Sequence, residues 1–267
     1  MRPIFEKNNK ICVQYYKSSN NWGDIIAPFL VKALSGKDIV TVGERIRKDL
    51  NIPVVQCVGS ILQWATPKVH IWGTGFISQN RWWNNIPKKI HAVRGPLTRD
   101  KILAKGFDCP EIYGDPALLM PRFYNPKVKK QFKIGVIPHY IDQRLAFPLS
   151  LFKDPDFTFI NIKSGIENVV NKALECEFLI SSSLHGVILG DAYNIPTAHV
   201  KFSGKVMGKD FKFNDYYASI HREYENMWVD TKTTKKELIS FINKSKKDWK
   251  VDIDLDKLLD ACPFRKD

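Results

Sequence analysis

The sequence predicts an α/β protein made of two facing domains, each a parallel sheet covered by helices. Three observations lead there. Short apolar runs without strict alternation are separated by helical patterns, as expected of strands buried on both faces. Most runs end in a glycine or short polar turn before the next helix. The strand, turn and helix pattern then restarts after the proline- and lysine-bearing stretch 121–130. This divides the chain into an N-terminal α/β domain, 1–125, and a C-terminal α/β domain with C-terminal helices, 126–267. No sequence repeat of fixed period is visible.

In chain order, Ile11–Tyr16 reads as the first strand. The turn Ser18–Asp24 follows, then a helix carrying Ile25, Ile26, Phe29, Leu30 and Leu34 that Gly36 closes. Val54–Val58 and Val69–Trp72 are further strands, leading into Gly59-Ser60 and Gly73-Thr74-Gly75. Lys89–Val93 leads to Arg94-Gly95, and Pro96 opens a helix that runs to Gly106. Beyond the junction, Phe132–Ile137 is a strand ending at Pro138-His139-Tyr140. Phe157–Ile162 is a second strand and Asn168–Cys176 a helix. Glu177–Ile180 is a short buried strand running straight into a helix that carries Leu184, Val187, Ile188 and Ala192. A serine among Ser181, Ser182 and Ser183 is expected to cap that helix through its hydroxyl. Thr197–Val200 is another strand. Residues 202–217 mix lysines, glycines and aromatics with little periodicity, and are expected to form a long ordered loop. Lys235–Trp249 and Asp254–Cys262 read as amphipathic helices.

Composition bounds the function. With 267 residues, 44% hydrophobic and 26% charged, the chain is ordinary globular material and not a disordered or fibrous one. Its first ten residues hold no apolar leader and no run is long enough to span a bilayer, so a cytoplasmic protein is expected. Five cysteines, an odd number without CxxC spacing, point to buried reduced thiols and away from disulfides or zinc. The net charge of +13 favours anionic partners. Part of that surplus is a solvated lysine-rich face between Lys232 and Lys250. The tryptophans Trp22, Trp72, Trp82 and Trp83 are not interleaved with lysines, which argues against a nucleic-acid platform.

The chemistry concentrates at strand-to-helix turns. In a parallel sheet ligands lie beyond the carboxyl ends of the strands. Asn20–Asp24, Gly59-Ser60, Gly73–Gly75 and Arg94-Gly95 all fall there. His185 sits at a helix start, where free backbone N–H groups and the helix dipole favour an anion, and His139 directly follows another strand. His70, His91 and His199 lie inside apolar strands and read as satisfied core residues. HExxH, P-loop and GxGxxG signatures are absent, as are a nucleophile elbow and clustered carboxylates for a metal. What remains is a metal-free enzyme that grips an anion through Arg, Lys and helix ends.

Taken together, Asn20–Asp24, Val58–Leu62, Trp72–Gly75, Val93–Thr98, Gly114–Ala117, Ile137–Tyr140 and Ser182–Gly186, in this order, resemble the polysaccharide pyruvyl transferase family. The resemblance implies two Rossmann-like domains facing across a cleft, GT-B-like. It also implies transfer of the enolpyruvyl group of phosphoenolpyruvate to two hydroxyls of a sugar, giving a cyclic pyruvate ketal in capsule or exopolysaccharide synthesis. No cofactor is implied beyond phosphoenolpyruvate as donor substrate. A lipid-linked galactose-type acceptor and peripheral contact with the inner membrane are implied as partners. On this resemblance His185, His139 and Arg94 are the expected catalytic residues. Substrate contacts are expected from Asn20, Asp24, Gly73, Thr74, Gly75, Ser182, Ser183 and Leu184, with Asp215 and Tyr216 toward the acceptor. Some relatives carry Arg at the position of Ser183, so a replacement cation is expected from Lys201, Lys205 or Lys212, with Lys205 preferred. The competing reading is a GT-B glycosyltransferase that uses a nucleotide sugar, with Glu223 or Glu225 on the ribose.

Overall fold

A computed structural model describes residues 5, 8–46, 50–83, 85–143, 151, 153–247 and 249–266. Most of the first ten residues, and Asp248 of the stretch expected as the helix Lys235–Trp249, lie outside the described residues.

Two five-stranded parallel sheets form the frame. The first holds β1 (Lys10–Gln14), β2 (Asp38–Val42), β3 (Val54–Gln56), β4 (Val69–Trp72) and β5 (Lys89–Ala92) in the order β2-β1-β3-β4-β5. The second holds β6 (Phe132–Ile137), β7 (Phe157–Phe159), β8 (Cys176–Ser181), β9 (Thr197–Lys201) and β10 (Asn226–Trp228) in the order β7-β6-β8-β9-β10. The two orders are the same when each sheet is counted from its own first strand. The chain therefore repeats a topology that its sequence does not repeat. Parallel strands need crossover connections: helix α1 (Trp22–Ser35) lies along one in the first sheet, α2 (Pro96–Leu103) lies on the link between the two sheets, and α3 (Ile166–Leu174), α4 (Leu184–Ala192) and α5 (Phe211–Ser219) lie along crossovers of the second. Helices α6 (Lys235–Lys247) and α7 (Leu255–Asp260) follow, and short 3-10 turns occupy Leu62–Trp64 and Pro116–Arg122.

Local chemistry sets the element ends. Asn21 caps α1 by accepting from the Gly23 N–H at 3.2 Å, and Gly36 ends it at φ +67°, where a Cβ would be strained. Strand β2 was not anticipated: its residues are half-buried, at a sheet edge, and give a weak apolar signal. The stretch expected as one loop, 202–217, turns helical at Phe211. Phe213, Tyr216, Tyr217 and Ile220 recur at i, i+3, i+4 and i+7 and all are buried, so a helical face was present beneath the mixed composition.

One buried cluster runs through both halves, joining Val13, Trp22, Leu30 and Trp72 to Ile137, Val187, Phe213 and Tyr217. Two further clusters cover the remaining sheet faces. The Trp22 N–H donates to the Ile162 carbonyl across the halves at 2.8 Å. Helix α7 returns to the first sheet: the Trp72 indole N–H donates to the Leu258 carbonyl at 2.8 Å, and Phe264 packs edge-on against that indole. All five cysteines are free and buried. Among the described residues no helix is long and apolar enough to cross a membrane.

Candidate active site

In each sheet the chain leaves the first strand toward one side and enters the third on the other, which opens a crevice at the carboxyl ends. The two crevices face each other. Between them lies a cleft of about 300 Å3, lined from the first half by Tyr16, Asn21, Asp24, Ser60 and Trp64 and from the second by His139, Tyr140, Ser183, Leu184, His185 and Lys212.

The floor is assembled by close approach. The His185 ring lies directly on Gly23: a Cβ there would sit 1.9 Å from the ring's Cγ and 2.0 Å from Nδ1, so no larger residue fits. Gly59, at φ +95°, leaves room on its open side, where a Cβ would lie 3.8 Å from the Asp24 carboxylate and 3.9 Å from His185 Cε1. Carboxyl and imidazole therefore border one small space, from the two halves of the chain. Asp24 is held by the Ser19 hydroxyl, which donates to its Oδ2 while accepting from the Asn21 N–H.

The opposite wall is the start of α4. No serine hydroxyl caps this helix, contrary to the expectation from sequence. The Ser181 hydroxyl is used inside the turn, donating to the Ile137 carbonyl at 2.7 Å, and that of Ser182 donates to Asp142 at 2.6 Å. Ser183 occupies the cap position without a capping bond from its hydroxyl. Among the described residues the Leu184 and His185 N–H groups have no partner, so the positive end of α4 stays open toward the cleft. His139 is oriented by the Ile141 N–H, which donates to its Nδ1 at 3.3 Å. In the neutral ring the proton then sits on Nε2, making that nitrogen a donor.

Burial orders the titration of these groups. It raises the Asp24 carboxyl to about 7, against the lowering effects of the Ser19 hydroxyl and Lys212. Loss of solvent lowers Lys212 to about 8, helped by the nearby Arg94 guanidinium. His185 falls to about 3, from burial first and then the charges of Lys212 and Arg94. Part of that ring stays exposed to the cleft, but its Nε2 is covered and has no partner. His139 also falls to about 3, from burial first and then the charges of Lys212 and Lys163. An unperturbed imidazole titrates near neutrality. The enclosed, positively charged setting instead keeps both rings neutral, and a carboxyl takes the neutral-range titration. Asp115, buried below and capping the Pro116–Arg122 turn through the Ala117 N–H, is raised to about 6 by burial.

Other expected site residues lie elsewhere. Arg94 is fully buried and does not line the cleft. Its guanidinium contacts Asp215 at 2.9 Å, the Phe76 carbonyl at 2.8 Å and the Ser60 hydroxyl at 2.6 Å, and only Ser60 among these reaches the cleft. Asp215 also accepts from the Thr98 N–H at 2.8 Å, capping α2 from the other half. A Cβ on Gly75 would strike the Arg94 guanidinium and one on Gly73 would strike Pro116, while the Thr74 hydroxyl braces the Gly59 carbonyl at 2.7 Å. Tyr216 is buried and donates to Asp191 at 2.8 Å. Asn20 is exposed at φ +50°, and its neighbour Asn21 is the one that reaches the cleft. Lys201 is paired with Asp210, and Lys205 is exposed outside the cleft. Lys212 alone of the three lysines lines it, 7% exposed and, among the described residues, without an ion-pair partner. His70 and His91 lie 3.1 Å apart on β4 and β5, and His70 Nε2 is unsatisfied, so that core pair is less satisfied than expected. Glu223 and Glu225 line a separate cavity of about 440 Å3. Among the described residues no three His, Cys, Asp or Glu side chains converge as metal ligands. The aromatic lining from Tyr16, Trp64 and Tyr140 was not anticipated. Only the position of Tyr16 and Tyr140 next to strand-to-helix turns could have signalled it.

The chain is similar to known proteins. The profile described as polysaccharide pyruvyl transferase matches residues 62–203, which include both His139 and the start of α4. The chain is 31% identical to uncharacterized protein L143 of Acanthamoeba polyphaga mimivirus over 214 residues, covering 78% of this chain and 73% of that one. It is 27% identical to the succinoglycan biosynthesis protein ExoV of Rhizobium meliloti (strain 1021) over 191 residues, covering 67% of this chain and 56% of ExoV. The chain thus spans little more than half the length of ExoV. Two parallel sheets with a cleft lined from both at their carboxyl edges, and a profile match over more than half of the sequence, place the chain in the polysaccharide pyruvyl transferase family.

Proposed function

We propose that the chain moves the enolpyruvyl group of phosphoenolpyruvate onto two hydroxyls of a sugar acceptor, releasing phosphate and leaving a cyclic pyruvate ketal. The observation that carries this is the donor set at the cleft. Lys212, the His139 Nε2–H and the open N–H groups of α4 provide cationic and dipolar contacts for a small ligand with a carboxylate and a phosphate. A neutral acid, Asp24, stands beside them. The return of α7 to the first sheet supports a GT-B-like arrangement of the two halves.

The residues suit the following sequence. Protonated Asp24 gives its proton to the methylene carbon, leaving an oxocarbenium-like centre at C2 and a carboxylate that stabilises it. One acceptor hydroxyl adds to C2, its proton passing to the neutral His185 imidazole. The C2–O bond to phosphate breaks, phosphate leaves with the electron pair, and His185 returns the proton to it. The second hydroxyl closes the ring and its proton restores Asp24. Lys212 holds the phosphate as a point charge. In this reading an Arg–Leu–His form is replaced by Ser183-Leu184-His185, with the cation supplied from α5. The acceptor is a saccharide of surface-polysaccharide assembly, carried on a lipid at the cytoplasmic face of the membrane.

Phosphoenolpyruvate alone should raise the melting temperature of the wild-type protein, and Lys212→Met should remove most of that shift while leaving the unliganded protein folded. A nucleotide sugar that stabilises the protein when phosphoenolpyruvate does not would overturn the reading.

A further inference from the structure

A second cavity, of about 250 Å3, opens beside the cleft on the same sheet edge. Ser182 lines it, and the next residue, Ser183, lines the cleft. The two openings therefore back onto adjacent residues of one turn, whose Cα atoms are about 3.8 Å apart. Lys201 and Trp228, the last residues of β9 and β10, form part of its lining at the carboxyl ends of those strands. The 202–210 loop contributes to its wall. That loop is pinned to the first half, because Gly208, at φ +91°, lies so close to the Ile77 carbonyl that a Cβ would come within 2.0 Å of it. The same loop turns Met207 toward the cleft and Val206 and Lys209 toward the second cavity.

Trp228 is 61% exposed and belongs to none of the three buried clusters, so hydrophobic burial does not account for an indole there. Its polar surroundings are nonetheless fixed. The Lys201 ammonium lies 5.7 Å from the ring centroid and pairs with Asp210 at 2.8 Å. Asp210 in turn accepts from the Tyr224 hydroxyl at 2.9 Å, and that hydroxyl is bonded to His199 at 2.8 Å. A flat aromatic face beside a fixed carboxylate and ammonium offers an apolar platform together with both acceptors and donors. A sugar ring has that chemistry, with one C–H face and a rim of hydroxyls that donate and accept. Of the two lysines in the lining, Lys201 is already neutralised by Asp210, which leaves a phosphate only the exposed Lys209.

We propose that this cavity is a saccharide subsite: it holds the sugar unit next to the one modified in the cleft, with the pyranose face on Trp228 and its hydroxyls on Asp210 and Lys201. The identity of the neighbouring event rests on the pyruvyl-transfer reading. The subsite itself does not. An acceptor of at least two sugar units would then span both openings, which gives selection for chain length as well as for the reacting sugar.

The test is saturation-transfer NMR with the full chain and neutral disaccharides (lactose, cellobiose, gentiobiose and mannobiose), in the absence of phosphoenolpyruvate. Wild-type protein is expected to bind at least one of them. Trp228→Ala should weaken that binding roughly 3–10-fold, and Trp228→Phe should restore most of it. The phosphoenolpyruvate-induced thermal shift should be the same in all three proteins. Absence of binding to any disaccharide, or binding that ignores Trp228→Ala, overturns the subsite. Failure of phosphoenolpyruvate to stabilise the wild type overturns the pyruvyl reading instead, and would leave disaccharide binding standing on its own.

Discussion

Asp24→Asn should still bind phosphoenolpyruvate but turn it over roughly 10²–10⁴-fold more slowly. The substitution keeps the shape and removes the proton that the carboxyl would give to the methylene carbon. Burial has raised this group to about 7, so near neutrality a large fraction is protonated in the free protein. In wild type, kcat/KM is therefore expected to fall as pH rises through about 7, and that limb should vanish with Asn at the position. Stability should move the other way. A carboxyl whose folded pKa is raised from the ordinary carboxylate range to about 7 binds more protons folded than unfolded between those values. Its contribution is present in full below the unfolded value and is lost as pH rises through the folded one. Above pH 7 the unliganded wild type thus carries a buried charge with incomplete compensation. Asp24→Asn should melt at a higher temperature than wild type at pH 8 and show little gain at pH 4. Loss of turnover with a gain of stability is the behaviour expected of a group kept for chemistry.

The second large effect is on folding. Asp215→Ala should destabilise the protein by about 3–5 kcal/mol, because it leaves the Arg94 guanidinium buried and unpaired. Both side chains are fully buried, and their 2.9 Å contact joins the two halves of the chain. The same change uncaps α2 by removing the acceptor of the Thr98 N–H. A fall in melting temperature on the order of 10 °C is expected. The double variant Arg94→Met, Asp215→Leu should recover part of the loss, since no charge is then stranded. Where Asp215→Ala protein remains folded, the pH limb near 7 should persist, because Asp24 is untouched. Loss of that limb with unchanged stability would show that the pair acts in the chemistry and not in the frame.

Much of this arrangement could be read from the chain. Strand-to-helix turns of a parallel sheet share one edge, so His185, His139, Asp24 and Ser183 could be placed together without knowing a single contact. What could not be read was long-range or depended on burial. Arg94 and Asp215 are 121 positions apart, and nothing local to either reveals the other. An arginine next to a glycine turn looks the same whether it faces a ligand or an internal carboxylate. The choice of Lys212 over Lys205 depends on a helix starting at Phe211, which points one lysine inward and leaves the other in solvent. The run Ser181–Ser183 looked like a source of a cap because the residue type suits one, yet Ser181 and Ser182 spend their hydroxyls on other local hydrogen bonds. Neutral histidines and a titrating aspartate follow from desolvation, which residue identity alone does not encode.

The most direct test is proton NMR of the reaction run in D2O with phosphoenolpyruvate and a panel of galactosides. A carboxyl that protonates the methylene carbon from exchangeable hydrogen predicts a new ketal methyl bearing one deuterium, formed in step with released phosphate and lost in Asp24→Asn. No phosphate release dependent on phosphoenolpyruvate and acceptor, or undiminished ketal formation by Asp24→Asn, would contradict the account.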